Sequence, residues 1–229
     1  METRIVYLVR HGELTGDEGH RFLGQLDVPL SPEGEEQAHE LGECRELGSI
    51  TGIYCSDLSR SRDSAEIIAH PHGRPVTACR GLREISLGLW EGRAVEDIKN
   101  RYPQEFNARG ADIEHYRPPY GESFADCRIR VLAALQQILD SSSHDILIVG
   151  HAGVNRLILC EGLGIPIANL FKIGQEYGCL NILEYGTRGC RVKLLNFVPH
   201  RAARDKVQVG MEVEAVATFL NSFQSFAER

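Results

Sequence analysis

Ile146-Leu147-Ile148-Val149-Gly150-His151-Ala152-Gly153-Val154 is the stretch whose reading decides the fold. Four consecutive apolar residues, mostly β-branched, make the clearest buried strand of the chain. Gly150 ends it, and Val154, Leu157 and Ile158 begin a helix at helical spacing. The same punctuation recurs upstream. Ile5-Val6-Tyr7-Leu8-Val9 is a short strand that runs into Arg10-His11-Gly12, and Ile53-Tyr54-Cys55 is a second that runs into Ser56. Strands alternating with helices predict a three-layer α/β/α sandwich with a mostly parallel sheet.

The segments between those strands carry helix signals. Ser31-Pro32-Glu33 combines a capping hydroxyl, a proline at the first helical position and an acid in the first turn. Phe124, Cys127, Val131, Leu135 and Ile138 predict one buried helix face between about residues 122 and 140. Leu180 to Tyr185 and Arg191 to Phe197 flank Gly186-Thr187-Arg188-Gly189, which predicts an antiparallel hairpin at the sheet edge. Residues 89–120, rich in charge, aromatics and prolines, read as an insertion that caps a pocket. One domain therefore spans 1–200. A linker and a C-terminal helix at 211–226 fill 201–229, and that helix packs on the domain or on a partner subunit, as in a homodimer.

A net charge of −7 supplies no global field for nucleic acid or an acidic membrane surface. A bound phosphate would thus depend on a local cluster of arginines. The seven cysteines are odd in number, widely spaced and without C-x-x-C, which predicts free thiols in a reducing cytoplasm. No apolar run is long enough for a membrane span.

In open parallel sheets, ligands bind outside the carboxyl ends of the strands. If the three strands are neighbours, Arg10, His11, Arg60 and His151 converge on one crevice. Neutral imidazole is a competent nucleophile near neutral pH, and fixed guanidinium groups suit the oxygens of a transferring phosphoryl group. His151 can donate to the same oxygens, Gly12 and Gly153 allow close approach, and Glu84 can protonate the leaving oxygen and then activate water. A metal site on His11, His151 and Glu84 is disfavoured by the adjacent arginines, so no metal or other cofactor is expected.

Arg10-His11-Gly12-Glu13 resembles the histidine phosphatase superfamily, the phosphoglycerate mutase-like fold. The resemblance continues through Phe22 to Gly34, Ser56 to Ser61, Leu82-Arg83-Glu84 with Gly88 to Gly92, Gly121-Glu122-Ser123, and Val149 to Val154. It implies His11 as the phosphorylated residue, Arg10, Arg60 and His151 as its phosphate pocket, and Glu84 as proton donor, with Arg62 outside the pocket. The short span from Glu84 to His151 is more similar to the phosphatases than to the mutases. Gly24 to Asp27, Gly121 to Ser123 and Asn155-Arg156 are most similar to the α-ribazole phosphatases of cobalamin assembly. Broad-specificity sugar-phosphate phosphatases, a mutase and a non-enzymatic binding relative are the rival readings.

The expected partner is thus a small phosphorylated metabolite, contacted by Arg21, Gly24, Gln25 and Tyr120. His20, Trp90 and Tyr116 are further candidates for the pocket wall. Asp17 stands where the family often has an asparagine that helps hold phosphate.

Overall fold

The computed structural model of the chain describes residues 3–16, 21–44, 47, 49–187 and 189–199. Asp17, His20 and the expected tail helix lie outside the described residues. Six strands form one sheet: β1 Arg4–Arg10, β2 Gly52–Cys55, β3 Val76–Ala78, β4 Ile146–Gly150, β5 Leu180–Gly186 and β6 Gly189–Phe197. Their order is β3-β2-β4-β1-β5-β6. The first four are mutually parallel, while β5 runs antiparallel to β1 and β6 antiparallel to β5. The expected mostly parallel sheet, the buried strand at Ile146–Gly150 and the hairpin at the sheet edge are all present.

Strand geometry explains the layers. Successive side chains of a strand point to opposite faces. Val6, Leu8, Ile146 and Ile148 accordingly join one core, which includes the inner faces of helices α5 (Phe124–Ser141) and α6 (Ala152–Leu163). Tyr7, Val9, Leu147 and Val149 join the other, with α1 (Pro32–Gly42) and α2 (Ser59–Ala69). β4 is buried on both faces throughout, which is why its sequence is unbroken apolar rather than alternating.

Helix starts follow their local chemistry. Ser31 Oγ accepts from the Gly34 N–H at 3.1 Å, and Pro32 opens α1. Residues 89–120 hold two short helices, α3 (Val95–Arg101) and α4 (Pro103–Ala111). β3, only three residues long, has no counterpart in the sequence reading, because so short a run carries no periodicity.

Register fixes where chemistry can occur. Val149 pairs with Val9 on one side and with Cys55 on the other, and Cys55 pairs with Ala78. Four parallel strands therefore end in one row. Arg10-His11, Gly150-His151 and Ser56 follow directly, and the chain beyond β3 leads to Glu84.

Candidate active site

His11 leaves β1 in a turn that packs against the start of α1. A β-carbon on Gly12 would fall 2.2 Å from the Gly34 carbonyl oxygen, so only glycine permits this approach. The Gly12 N–H donates to Ser64 Oγ at 3.1 Å, which ties the turn to α2. The His11 imidazole is buried, and its Nδ1 sits 2.7 Å from the Gly12 carbonyl oxygen. A carbonyl only accepts, so Nδ1 carries the proton and Nε2 keeps its lone pair. Burial, then the charges of Arg10 and Arg60, hold His11 well below the ordinary histidine value, so the ring is neutral at neutral pH.

His151 follows β4 and is fully buried, its ring 5.1 Å from that of His11. Burial and the neighbouring Arg60, His11 and Arg10 depress its pKa as well. Its Nε2 lies 2.7 Å from Ser56 Oγ, and that hydroxyl also accepts from the Leu58 N–H at 3.3 Å. The hydroxyl proton is then free to point at Nε2, which places the imidazole proton on Nδ1. His151 Nδ1 has no hydrogen-bond partner among the described residues.

Two arginines complete the group. Arg60, on the first turn of α2, is 2% exposed, with its terminal nitrogens donating to the Leu26 and Gly24 carbonyls at 2.8 and 2.7 Å. Arg10 donates to the Gln175 carbonyl at 2.6 Å, and its guanidinium stacks over the Tyr177 ring 3.6 Å from the centroid. Both keep a buried Nε with no partner among the described residues. Arg62 instead points outward and pairs with Asp63.

Glu84 reaches across from the loop after β3. Its carboxylate accepts N–H bonds from Gly153 at 2.9 Å, Val154 at 3.2 Å and its own neighbour Ile85 at 2.9 Å, at the N-terminus of α6. A β-carbon on Gly153 would meet Glu84 Oε1 at 2.5 Å, so that glycine makes room for the carboxylate. Arg130 of α5 grips the same loop through the carbonyls of Gly81, Arg83 and Glu84. Arg83, next to Glu84 in sequence, pairs instead with Asp57.

His11, Arg10, Arg60 and Glu84 open onto a cavity of about 400 Å³, lined also by Arg21 and Gly24, with Phe22, Phe124 and Phe171 as aromatic wall, while His151, packed against the His11 ring, is not among the lining residues. Of the other expected contacts, Tyr120, Gln25, Trp90 and Tyr116 are not among the lining residues. Tyr120 is a correction: it is 91% exposed on a left-handed turn, φ 61°, held outward by the bond from the Gly121 N–H to Pro118. Gln25 braces the site from behind, donating to the Glu84 carbonyl at 3.0 Å, and is not among the lining residues. Trp90 is core, packed behind Phe22 and Tyr116. Sequence reasoning missed the roles of Ser56, Tyr177, Arg109, Arg156 and Phe171. Ser56 and Arg156 stood within stretches that carry the resemblance, without a role there; Arg109 comes from the insertion, and Phe171 and Tyr177 from the 3-10 helix and turn between α6 and β5, where no periodicity marks them.

Taken together, the arrangement is a neutral imidazole with a free nitrogen, three unspent buried donors and a carboxylate on a helix N-terminus. Among the described residues, no group of three or more His, Cys, Asp or Glu is placed to hold a metal ion. Such a site can accept a tetrahedral anion and transfer its central atom.

Residues 6–198 match the family model described as "Histidine phosphatase superfamily (branch 1)". The chain is 36% identical over 163 residues to "Probable phosphoglycerate mutase GpmB" of Erwinia tasmaniensis, covering 70% of this chain and 75% of that one. It is 26% identical over 192 residues to the adenosylcobalamin/alpha-ribazole phosphatase of Escherichia coli, covering 83% and 95%. The crystal structure of the alpha-ribazole phosphatase from Shigella flexneri superposes with a TM-score of 0.76 at 27% identity, covering 84% and 96%.

Proposed function

This chain belongs to the histidine phosphatase superfamily, and from that premise we propose that it hydrolyses a small phosphate monoester through a phosphohistidine on His11. The observation that carries this reading is the set of unpartnered donors, Arg10 Nε, Arg60 Nε and His151 Nδ1, around a histidine whose Nε2 is free. Buried polar groups are normally satisfied. Three that are not, gathered beside one nucleophile, fit the oxygens of a phosphoryl group.

In the proposed first step, His11 Nε2 attacks phosphorus. A P–N bond forms, the ester P–O bond breaks, and the Glu84 carboxyl gives its proton to the departing oxygen. In the second step a water gives its proton to the Glu84 carboxylate as its oxygen attacks phosphorus. The P–N bond breaks, and inorganic phosphate leaves. Arg10, Arg60 and His151 stabilise the charge on the equatorial oxygens in both steps. Glu84's bonds to Gly153 and Val154 keep the carboxyl in one orientation between the two tasks.

For the substrate, the sequence blocks and the names of the Escherichia and Shigella relatives support α-ribazole 5′-phosphate. The name of the Erwinia relative supports phosphoglycerates as the second reading, either as phosphatase or as mutase substrates. The test is phosphate release from α-ribazole 5′-phosphate, phosphoglycerates, sugar bisphosphates and an aryl phosphate, in wild type, His11→Ala and Glu84→Gln. His11→Ala should abolish release while the protein stays folded. Glu84→Gln should slow alkyl esters far more than the aryl ester, whose leaving group needs little protonation. Near-normal turnover by folded His11→Ala would refute the nucleophile, and equal losses on both ester types would refute the acid. Transfer between phosphoglycerates only with a bisphosphate primer would make the protein a mutase.

A further inference from the structure

Behind the cavity wall lies a cluster of side-chain amides that the proposed chemistry does not use. Asn155 of α6, Asn181 of β5 and Gln175, in the segment ahead of β5, are all buried, and none of them is among the residues that line the cavity. Gln175 Oε1 accepts from Asn155 Nδ2 and from Asn181 Nδ2, each at 3.2 Å. Gln175 Nε2 donates to Asn181 Oδ1 and to the Gly174 carbonyl, each at 2.8 Å. Asn181 Nδ2 also donates to the Leu8 carbonyl of β1 at 3.0 Å, and Asn181 Oδ1 accepts from the Asn196 N–H at 2.9 Å. Both protons of the Gln175 amide and both of the Asn181 amide are therefore spent.

A buried amide is costly unless it is hydrogen-bonded, and apolar side chains of the same shape would fill this space at little cost in stability. What apolar side chains do not do is fix a direction, as a satisfied polar network does. The cluster fixes the segment from Gln175 to Cys179, and that segment holds Arg10 and His11. The Gln175 carbonyl accepts from Arg10 Nη1 at 2.6 Å, and the Tyr177 ring centroid lies 3.6 Å from the Arg10 guanidinium. The Cys179 carbonyl accepts from the Arg10 N–H at 3.1 Å, and the Gly178 N–H donates to the His11 carbonyl at 3.2 Å. One corner of the Arg10 fork is thus tied to a carbonyl and its plane to an aromatic face. Those two constraints set the direction of Nε, the buried donor that has no partner among the described residues.

We infer that Gln175, locked by Asn155 and Asn181, is a positioning residue that aims Arg10 at the oxygens of the phosphoryl group. It lies off the cavity and acts through Arg10. The inference rests on the reading of Arg10 as a phosphate-binding donor. It also gives Asn155 a role: from α6, that side chain anchors the same amide that Asn181 anchors from β5. Precision matters here because a misplacement of about 1 Å at such a group can cost about 100-fold in rate.

A double-mutant cycle on the full-length chain tests this, read as kcat/KM for an aryl phosphate, whose leaving group asks little of Glu84. Gln175→Met keeps the backbone carbonyl and the approximate length of the side chain but removes the amide. It should lower kcat/KM about 10- to 100-fold. In an Arg10→Ala background the same substitution should change kcat/KM by no more than about 2-fold, because the group it aims is gone. In an Arg60→Ala background it should keep its full factor, as independent sites do. Asn155→Ala removes a single bond of the cluster. It should repeat the pattern with a smaller factor, and it carries the test if Gln175→Met does not fold. Circular dichroism checks that each variant is folded.

Equal losses in all three backgrounds would mark a merely structural residue and overturn the inference. Wild-type kcat/KM in folded Gln175→Met, beside a damaged Arg10→Ala, would also overturn it while leaving the phosphate pocket standing. An Arg10→Ala enzyme as active as wild type would instead refute the phosphate role of Arg10, and the positioning role with it.

Discussion

At the scale of single residues, the site depends on two histidines kept neutral by their surroundings. Both rings are buried beside Arg10 and Arg60, and both pKa values lie well below the ordinary value. Unfolded, each would take up a proton near pH 6.5. Between that pH and the folded value, the unfolded chain binds more protons than the folded one. Stability should therefore fall as pH drops through 6.5, by up to about 1.4 kcal/mol per pH unit for each histidine. The loss should level off below the folded values. Urea unfolding at pH 7.5 and 5.5, above the range in which carboxylates titrate, measures this, and His11→Ala should flatten the slope. A stability that does not change over that interval would mean the rings protonate normally. That Arg10, His11, Arg60 and His151 come together was legible in the sequence, since each stands at or shortly beyond the end of a strand that could be read, whereas Glu84 follows β3, which could not, and was marked only by the family resemblance. Arg109, Tyr177 and Phe171 were not legible, because only packing in three dimensions brings the insertion and the segment between α6 and β5 to the cavity.

At the scale of elements, the parallel strands set the row and the helices hold the loops that follow it. α5 illustrates this. Ser123 Oγ accepts from the Asp126 N–H at 3.1 Å while Asp126 accepts from the Ser123 N–H at 3.0 Å, a reciprocal cap, and Arg117 pairs with the same carboxylate. One turn further, Arg130 clamps the loop that carries Glu84. Ser123→Ala should cost about 1 kcal/mol of unfolding free energy. Hydrolysis of an aryl phosphate at saturation should be unchanged, since neither Ser123 nor Asp126 is among the residues that line the cavity. An unchanged denaturation midpoint would show that the cap contributes nothing. The sequence reading started this helix near Glu122, and Phe124–Ser141 is its observed span. The hairpin and β4 were equally legible, from glycine punctuation and unbroken apolar character. β3 was not. Tyr120 was misplaced for a related reason: sequence proximity to Gly121-Glu122-Ser123 says nothing about the direction of a side chain on a left-handed turn.

At the scale of the molecule, a chain of net charge −7 concentrates five arginines around one cavity, with Glu84 the one carboxylate among the lining residues. The sheet makes this possible, because the row Ala78, Cys55, Val149 and Val9 sends four loops toward one end. Among the described residues, no helix is long and apolar enough to cross a membrane. The fold class was legible because strand and helix periods alternate in plain order. The make-up of the cavity wall was not, because residues far apart in sequence, such as Phe22, Arg109 and Phe171, meet there only in the folded chain. The central claim, transfer through His11, is tested most directly by mass spectrometry of the full-length protein quenched within milliseconds of mixing with an aryl phosphate, under conditions that preserve phosphoramidates. The account predicts one phosphoryl group, located on His11, that appears with the burst of phenol and decays as phosphate is released. A phosphoryl group on another side chain, or full turnover with no burst and none on the protein, would contradict it.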